Sequence, residues 1–212
     1  MSFLIRHERK EDYKLVEEIT REAFWNLYFP GCNEHYLVHK IRQHEDYLPQ
    51  LSFVIEVDGQ VIGSIYYTKS SIVMNDKVID TVTFGPVSIH PDYHRKGFGR
   101  KLIEYSIEQS RNQGCRAILI LGYPYHYEPY GFKGSKAFNI TMSDGLFYKG
   151  FMALPLYEGA LDGLHGYVSF SDVFEDPDEE TLEAFDKDFP KKEKTYKPSQ
   201  DEFKVASAML DE

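Results

Sequence analysis

The sequence has little of what marks a secreted, membrane-spanning or nucleic-acid-binding chain. Only two of its 212 residues are cysteines, Cys32 and Cys115, and neither lies in a C-x-x-C pair or a Cys/His cluster with metal-ligand spacing. That argues against a zinc site and a disulfide scaffold, and suits a reducing cytosol. No stretch approaches the roughly 20 apolar residues that cross a bilayer, and the opening MSFLIRHERK holds no apolar run of signal-peptide length. A soluble, cytoplasmic protein is expected. A basic excess is missing too. The formal charge is −10, and without a basic stripe nucleic acid is not an expected partner, because phosphate neutralisation supplies most of that affinity.

The charge that is present is unevenly placed. From Asp172 to Glu212 there are 14 acidic and 6 basic residues, while the rest of the chain carries 20 and 18. The body is therefore nearly neutral, and the tail reads as a solvated or partly disordered acidic segment. With 42% hydrophobic and 15% aromatic residues, the body has material for one well-filled core plus an appendage.

Hydrophobic periodicity orders the elements. Residues 3–7 alternate as a strand, and residues 9–24 place Leu15, Val16, Ile19 and Ala23 at helical spacing. Residues 25–33 (WNLYFPGCN) form an aromatic loop broken by Pro30-Gly31, before a short helix over residues 34–43. Two apolar runs, residues 52–57 and 61–67, flank Asp58-Gly59, a strong hairpin signal. Residues 78–89 form a long strand interrupted by Gly85-Pro86, which implies a bulge or a splayed end. A helix over residues 97–113 and a buried strand over residues 117–121 complete a right-handed parallel crossover. Beyond it, a helical turn or two is expected at residues 125–130, strands at 138–141, 147–156 and 168–170, and a helix at 179–185.

Chemistry concentrates in residues 84–114. The strand ends near Ile89, His90-Pro91 turns the chain, and His94-Arg95-Lys96-Gly97-Phe98-Gly99 enters a helix. Glycines let backbone approach a ligand, the helix N-terminus offers free N–H groups, and Arg95, Lys96, Arg100 and Lys101 add four cations. The loop is an anion site, and a diphosphate is its natural occupant. A P-loop needs Ser or Thr after Gly-Lys, and here Arg100-Lys101-Leu102 follows Gly99. A dinucleotide fingerprint needs a third small residue where Leu102 stands.

This segment resembles the pyrophosphate-loop motif of the GNAT acetyltransferases, Gln/Arg-x-x-Gly-x-Gly/Ala, with His94 in the place of Gln or Arg. The element order over residues 3–141 is similar as well. The closest resemblance is to a branch of predicted bacterial acetyltransferases whose buried strand ends Leu-Gly-x-Pro; here that is Leu121-Gly122-Tyr123-Pro124, with Tyr127-Glu128-Pro129-Tyr130-Gly131-Phe132 after it. The resemblance implies an α/β (α+β) fold with a mixed central sheet, a splayed central strand pair and helices on both faces. It divides the chain into a core (1–141), an extension packing on it (142–174) and the acidic segment (175–212).

It further implies an N-acetyltransferase using acetyl-CoA, with no metal. Pantetheine would lie along Val87, Ser88 and Ile89, and the pyrophosphate on His94, Arg95, Lys96, Gly97, Phe98, Gly99 and Arg100. Tyr127 would be the general acid that protonates the departing thiolate; otherwise it is one more ring of an aromatic cluster with Tyr123, Tyr125 and Tyr130. The acceptor would be a small-molecule or peptide amine, attacked directly in a ternary complex. Protein or peptide N-acetylation and a non-catalytic acyl-CoA sensor are the alternatives, and a homodimer is the prior for assembly. The general base stays open among Glu34, His35, Glu56, Asp80, His90, His126 and a water chain. Trp25, Tyr28 and Phe29 either wall the acceptor pocket or pack the first helix.

Overall fold

Asp58 and Gly59 adopt φ of 49° and 83°, the left-handed pair that a tight two-residue hairpin turn requires. They join two antiparallel strands, and this hairpin is the seed of the sheet. The computed structural model describes residues 2–212. The chain runs through β1 (Phe3–Arg6), α1 (Tyr13–Phe24), α2 (Glu34–Ile41) and the hairpin strands β2 (Phe53–Val57) and β3 (Gln60–Val73). It continues with β4 (Val78–Ile89), α3 (Phe98–Asn112), β5 (Ala117–Leu121) and α4 (Pro124–Tyr127). Then come β6 (Lys133–Gly134), β7 (Ile140–Thr141), β8 (Phe151–Pro155), β9 (Gly166–Phe170), α5 (Glu179–Asp186) and α6 (Pro198–Ala208).

The sheet order is β1-β2-β3-β4-β5-β8-β6, with β9 pairing the far half of β3 and β7 pairing β9. All pairings are antiparallel except β4 with β5 and β7 with β9. Residues 142–174 thus supply two strands to the sheet itself.

Strand alternation sorts the core into two layers. Phe53, Ile55 and Val57 point towards α3, where they meet Phe98, Leu102, Ile103 and Ile107. Val54 points the other way, onto Val16 and Ile19 of α1 and Val38 and Ile41 of α2. A third cluster joins β5 and β8 to β7 and β9. Arg42 fastens α2 to its neighbours, donating to Glu8 and Glu17 at 2.6 Å each and to the Tyr66 hydroxyl at 3.0 Å. Among the described residues, no helix is long and apolar enough to cross a membrane.

Several elements differ from the sequence expectation. The first helix begins at Tyr13, because Asp12 accepts from the Arg9 amide at 2.7 Å and holds residues 10–12 in a 3-10 turn. Leu15 is exposed, whereas Val16 and Ile19 face the core. Asn139 with φ of 56° breaks the strand expected at 138–141, leaving Ile140–Thr141. The strand expected at 147–156 starts at Phe151, after a turn closed by Gly145 N–H on the Met142 carbonyl.

The largest difference is the acidic tail, which is ordered and packed. Asp186 accepts from Arg21 Nε and from His35 Nε2 at 3.0 Å each, and Trp25 Nε1 donates to the Glu193 carbonyl at 3.0 Å. Asn26 bonds Glu193 and Thr195, and Phe203 of α6 stacks on Tyr28 at 4.3 Å. Lys149 N–H on the Met209 carbonyl and Asp211 N–H on the Phe147 carbonyl pin the chain's end. Composition alone hid this. The apolar residues that anchor the segment, Phe185, Phe189 and Phe203, are too sparse to form a periodic stripe.

Candidate active site

The central strands part company. β4 and β5 share one parallel pair, Val82 with Ile118. Beyond it β4 stays with β3 as far as Ile89 opposite Gly63, and β5 stays with β8 as far as Leu121 opposite Phe151. Between Tyr67 opposite Phe84 and Ile65 opposite Val87, two residues of β4 face one of β3. That bulge falls at Gly85-Pro86, where proline has no amide hydrogen for the ladder. The His90 amide donates to the Ile62 carbonyl of β3 at 2.7 Å. Strand alternation therefore turns the N–H and C=O groups of Ile89 and Val87 to the opposite edge, into the gap. The side chain of Ser88 points away from it, buried against α1 and bonded to Thr20 and Ser64 at 3.1 Å each. By the same alternation the Ser88 amide and carbonyl turn to β3, so Ser88 lines the gap without offering it a polar group.

The glycine loop stands at the mouth of this gap. Gly97 has φ of 82° and Arg95 φ of 59°. Left-handed residues alternating with ordinary ones gather backbone N–H groups into an anion-binding concavity at the start of α3. Its side chains divide by role. Arg95, Lys96 and Arg100 are exposed, with Lys96 over the Tyr93 ring at 5.1 Å and Arg100 beside Glu104 at 3.3 Å. Phe98 is buried in the core and offers the loop only its backbone. The His94 ring folds back, its Nε2–H donating to the Ile89 carbonyl at 2.7 Å. His94 braces the loop against the strand end. Gly99 is packed closely enough that a Cβ there would sit 3.5 Å from Ile89 Cγ1.

Across the gap, Tyr127 lies over the end of β5. A Cβ on Gly122 would stand 2.4 Å from Tyr127 Cε2, so the ring occupies space that only glycine leaves open. The ring is 5.8 Å from those of Phe84 and Phe132. Burial pushes its hydroxyl up to about 12, so it is a protonated phenol at neutral pH. The Tyr28 hydroxyl is raised further, first by burial and then by Tyr127, Glu34, Tyr123 and Tyr125 around it. Tyr28 belongs to the loop after α1, and Tyr123 to the turn after β5. Phe203 closes the ring between Tyr28 at 4.3 Å and Tyr123 at 6.4 Å.

The sequence profile of the acetyltransferase (GNAT) family matches residues 18–126, which run from within α1 to within α4 and take in the splayed strands and the glycine loop. The chain belongs to the GNAT acetyltransferase family. The N-acetyltransferase YhbS of Escherichia coli is 26% identical over 172 residues, covering 81% of this chain and 98% of the relative. YjhQ of Escherichia coli, also named an N-acetyltransferase, is 27% identical over 126 residues, 58% of this chain and 66% of its own length. Among solved structures, a GNAT family acetyltransferase from Brucella melitensis in complex with acetyl-CoA superimposes with a TM-score of 0.65 at 28% identity, covering 82% and 99% of the two chains. The structure of Escherichia coli YhbS in complex with CoA gives a TM-score of 0.71 at 24% identity, over 81% and 91%.

Within this GNAT fold the residues open as general bases fall into distinct places. Glu56 is paired with Arg6 on the outer strands. Asp80 is exposed and precedes the last β4–β5 pair, so it lies away from the gap. His90 accepts from the Asp92 amide at 3.3 Å and borders a cavity of about 320 Å³ with Leu15, Glu18, Arg21, Glu22 and Phe189. His126 is exposed against Tyr125 at 4.3 Å.

His35 is fully buried, with Cys32 Sγ 3.4 Å from Nδ1 and Asp186 3.0 Å from Nε2. That line has the order of a nucleophile, base and orienter. Burial, however, pushes the Cys32 thiol up and the His35 imidazole down, so both are neutral and sealed from solvent. It is a structural clasp holding the tail to α2. Glu34 remains, partly buried at the first turn of α2. Of the proposed acceptor walls, Trp25 is committed to Glu193 and Arg21, and Phe29 is exposed, while Tyr28 stacks on Phe203. The contact of Phe203 with Tyr28 was not legible in the sequence, because nothing local marks a residue in a charged helix as the partner of a loop 175 positions earlier.

Proposed function

We propose that this chain transfers an acetyl group from acetyl-CoA to a primary amine by direct attack in a ternary complex. The observation that carries the reading is the gap between β4 and β5, open beyond a single pair and bounded at its mouth by the glycine loop. Pantetheine lies along the free edge of Val87, Ser88 and Ile89, where inward N–H groups bond its amides and polarise the thioester carbonyl. Donors held in place in this way lower an acyl-transfer barrier by about 3 kcal/mol. The pyrophosphate sits on the backbone N–H groups of residues 94–99, with Arg95, Lys96 and Arg100 as mobile counter-charges. His94 acts through the loop's shape, and Phe98 through its amide.

Tyr127 delivers the proton that the thiolate needs as the C–S bond breaks. A phenol that stays protonated to about 12 holds that proton until the sulfur becomes basic enough to draw it. Cys32 is buried and neutral, and the partly buried Cys115 precedes β5 at the end opposite to Tyr127, so neither thiol is placed for an acyl-enzyme. Residues 1–141 form the acyl-CoA-binding core, 142–174 extend its sheet, and 175–212 complete the acceptor side.

Titration calorimetry with acetyl-CoA, run beside ATP and NAD, tests the cosubstrate. Acetyl-CoA is expected to bind at micromolar concentration and the two nucleotides not to bind. Initial-rate patterns with an amine should intersect, and parallel lines would replace direct attack with an acyl-enzyme.

A further inference from the structure

The closed end of the β4–β5 gap is built from rings. β4 leaves β5 after Val82 opposite Ile118, and Phe84 is the next residue of β4 whose side chain faces α3. Its ring is 5.8 Å from that of Tyr127 and 6.1 Å from that of Phe132, and those two rings are 5.8 Å apart. The three centroids form a nearly equilateral triangle in which each ring packs on the other two. Tyr67 of β3 backs Phe84 at 5.3 Å. Tyr67 is itself fixed, its hydroxyl donating at 3.0 Å to Ser106 Oγ, which donates onward to the Ile103 carbonyl at 2.9 Å. Tyr67 and Phe132 are fully buried and Phe84 nearly so. A ring held on this many sides of a close-packed core has nowhere to swing.

The bulge at Gly85-Pro86 sets how far this block stands from the inward amide of Val87. Side-chain parity changes across it, so Phe84, Val87 and Ile89 all face α3 while Ser88 faces α1. It also shortens the strand. Phe84 and Val87 pair with Tyr67 and Ile65, so they stand about 7 Å apart, the rise of two β3 steps. With the thioester oxygen on the Val87 amide and the sulfur towards Ile89, the acyl chain points at Phe84. An acetyl methyl extends about 1.5 Å past the carbonyl carbon and leaves ample room. The last carbon of a butyryl chain comes to about 3 Å from the level of Phe84, inside the roughly 3.5–4.0 Å that two carbons need.

We propose that Phe84 sets the length of the acyl group this chain transfers: its ring, held by Tyr67, Phe132 and Tyr127, admits acetyl and propionyl and excludes butyryl. The inference rests on the acetyl-transfer reading above. Tyr127 belongs to the same triangle, so a chain long enough to displace Phe84 also displaces the proton donor.

The test measures binding and needs no acceptor. The full chain is titrated calorimetrically with free CoA, acetyl-CoA, propionyl-CoA and butyryl-CoA. For the wild type, acetyl-CoA and propionyl-CoA are expected within about 3-fold of each other and butyryl-CoA about 30-fold weaker, in the range that overpacking a filled site costs. Phe84→Ala leaves a cavity where the ring stood and should bring butyryl-CoA to within about 3-fold of acetyl-CoA. Should F84A fail to fold, Phe84→Leu, which is apolar but lacks the far edge of the ring, is expected to reduce the preference to about 10-fold.

Butyryl-CoA binding the wild type as tightly as acetyl-CoA would overturn the role of Phe84. A preference that neither variant changes would do the same, as would equal weakening of all four ligands, free CoA included, since that marks a damaged fold and not an enlarged site. Failure of the wild type to bind either free CoA or acetyl-CoA would overturn the acetyl-transfer reading, and this inference with it.

Discussion

Replacing Glu34 with glutamine should make the protein more stable at pH 8, the reverse of what a helix-capping acid would do. An acid in the first turn of a helix ordinarily stabilises it by about 0.3–1 kcal/mol. In the native state Glu34 titrates near 7 against an ordinary 4.5, because burial penalises the carboxylate. A native value above the unfolded one means that the group's contribution is fully favourable below pH 4.5 and is lost as the pH rises through 7. The full difference corresponds to about 3 kcal/mol, which residual solvent contact at this partly buried site trims to about 2 kcal/mol. Glutamine keeps an oxygen to accept from the Asn33 amide and cannot ionise. In urea unfolding, the wild type should lose about 2 kcal/mol against the variant between pH 4.5 and 8, or about 1 M in midpoint. Curves that run parallel across that range, or a variant less stable at pH 8, would refute the claim that this carboxylate is held at a cost.

Gly122→Ala places a methyl 2.4 Å from Tyr127 Cε2 and displaces the ring; kcat should fall about 10- to 100-fold, as misplacement of a proton donor by an ångström implies, while calorimetry shows acetyl-CoA binding kept. Phe203→Ala removes the ring stacked on Tyr28 and should raise KM for the amine about 5- to 10-fold, equivalent to about 1 kcal/mol of lost wall, with acetyl-CoA affinity unmoved; an unchanged amine KM would put α6 outside the acceptor site.

The sequence determined what is local or strongly periodic. Asp58-Gly59 specifies its hairpin through two left-handed φ values, and β4 appears with its expected bounds because residues 78–89 alternate so regularly. The spacing of Gly97 and Gly99 before an amphipathic helix names an anion loop by itself, and Gly85-Pro86 announces broken pairing where β4 bulges. Tertiary structure decided which side chains turn into the gap and which turn away. His94 and Phe98 sit in the motif, yet one braces the loop and the other fills the core, because strand and helix direction, not identity, orient a side chain.

It also sorted the acids and histidines: packing took Glu56 to an arginine, His35 to a buried clasp and Asp80 to the far end of its strand. The tail's role depended on contacts spanning more than 150 residues, such as Arg21 with Asp186 and Asn26 with Thr195. A pattern read along a chain reports periodicity within an element. It carries no record of which distant surfaces that element will meet, since desolvation and long-range pairing arise only when the whole chain closes on itself.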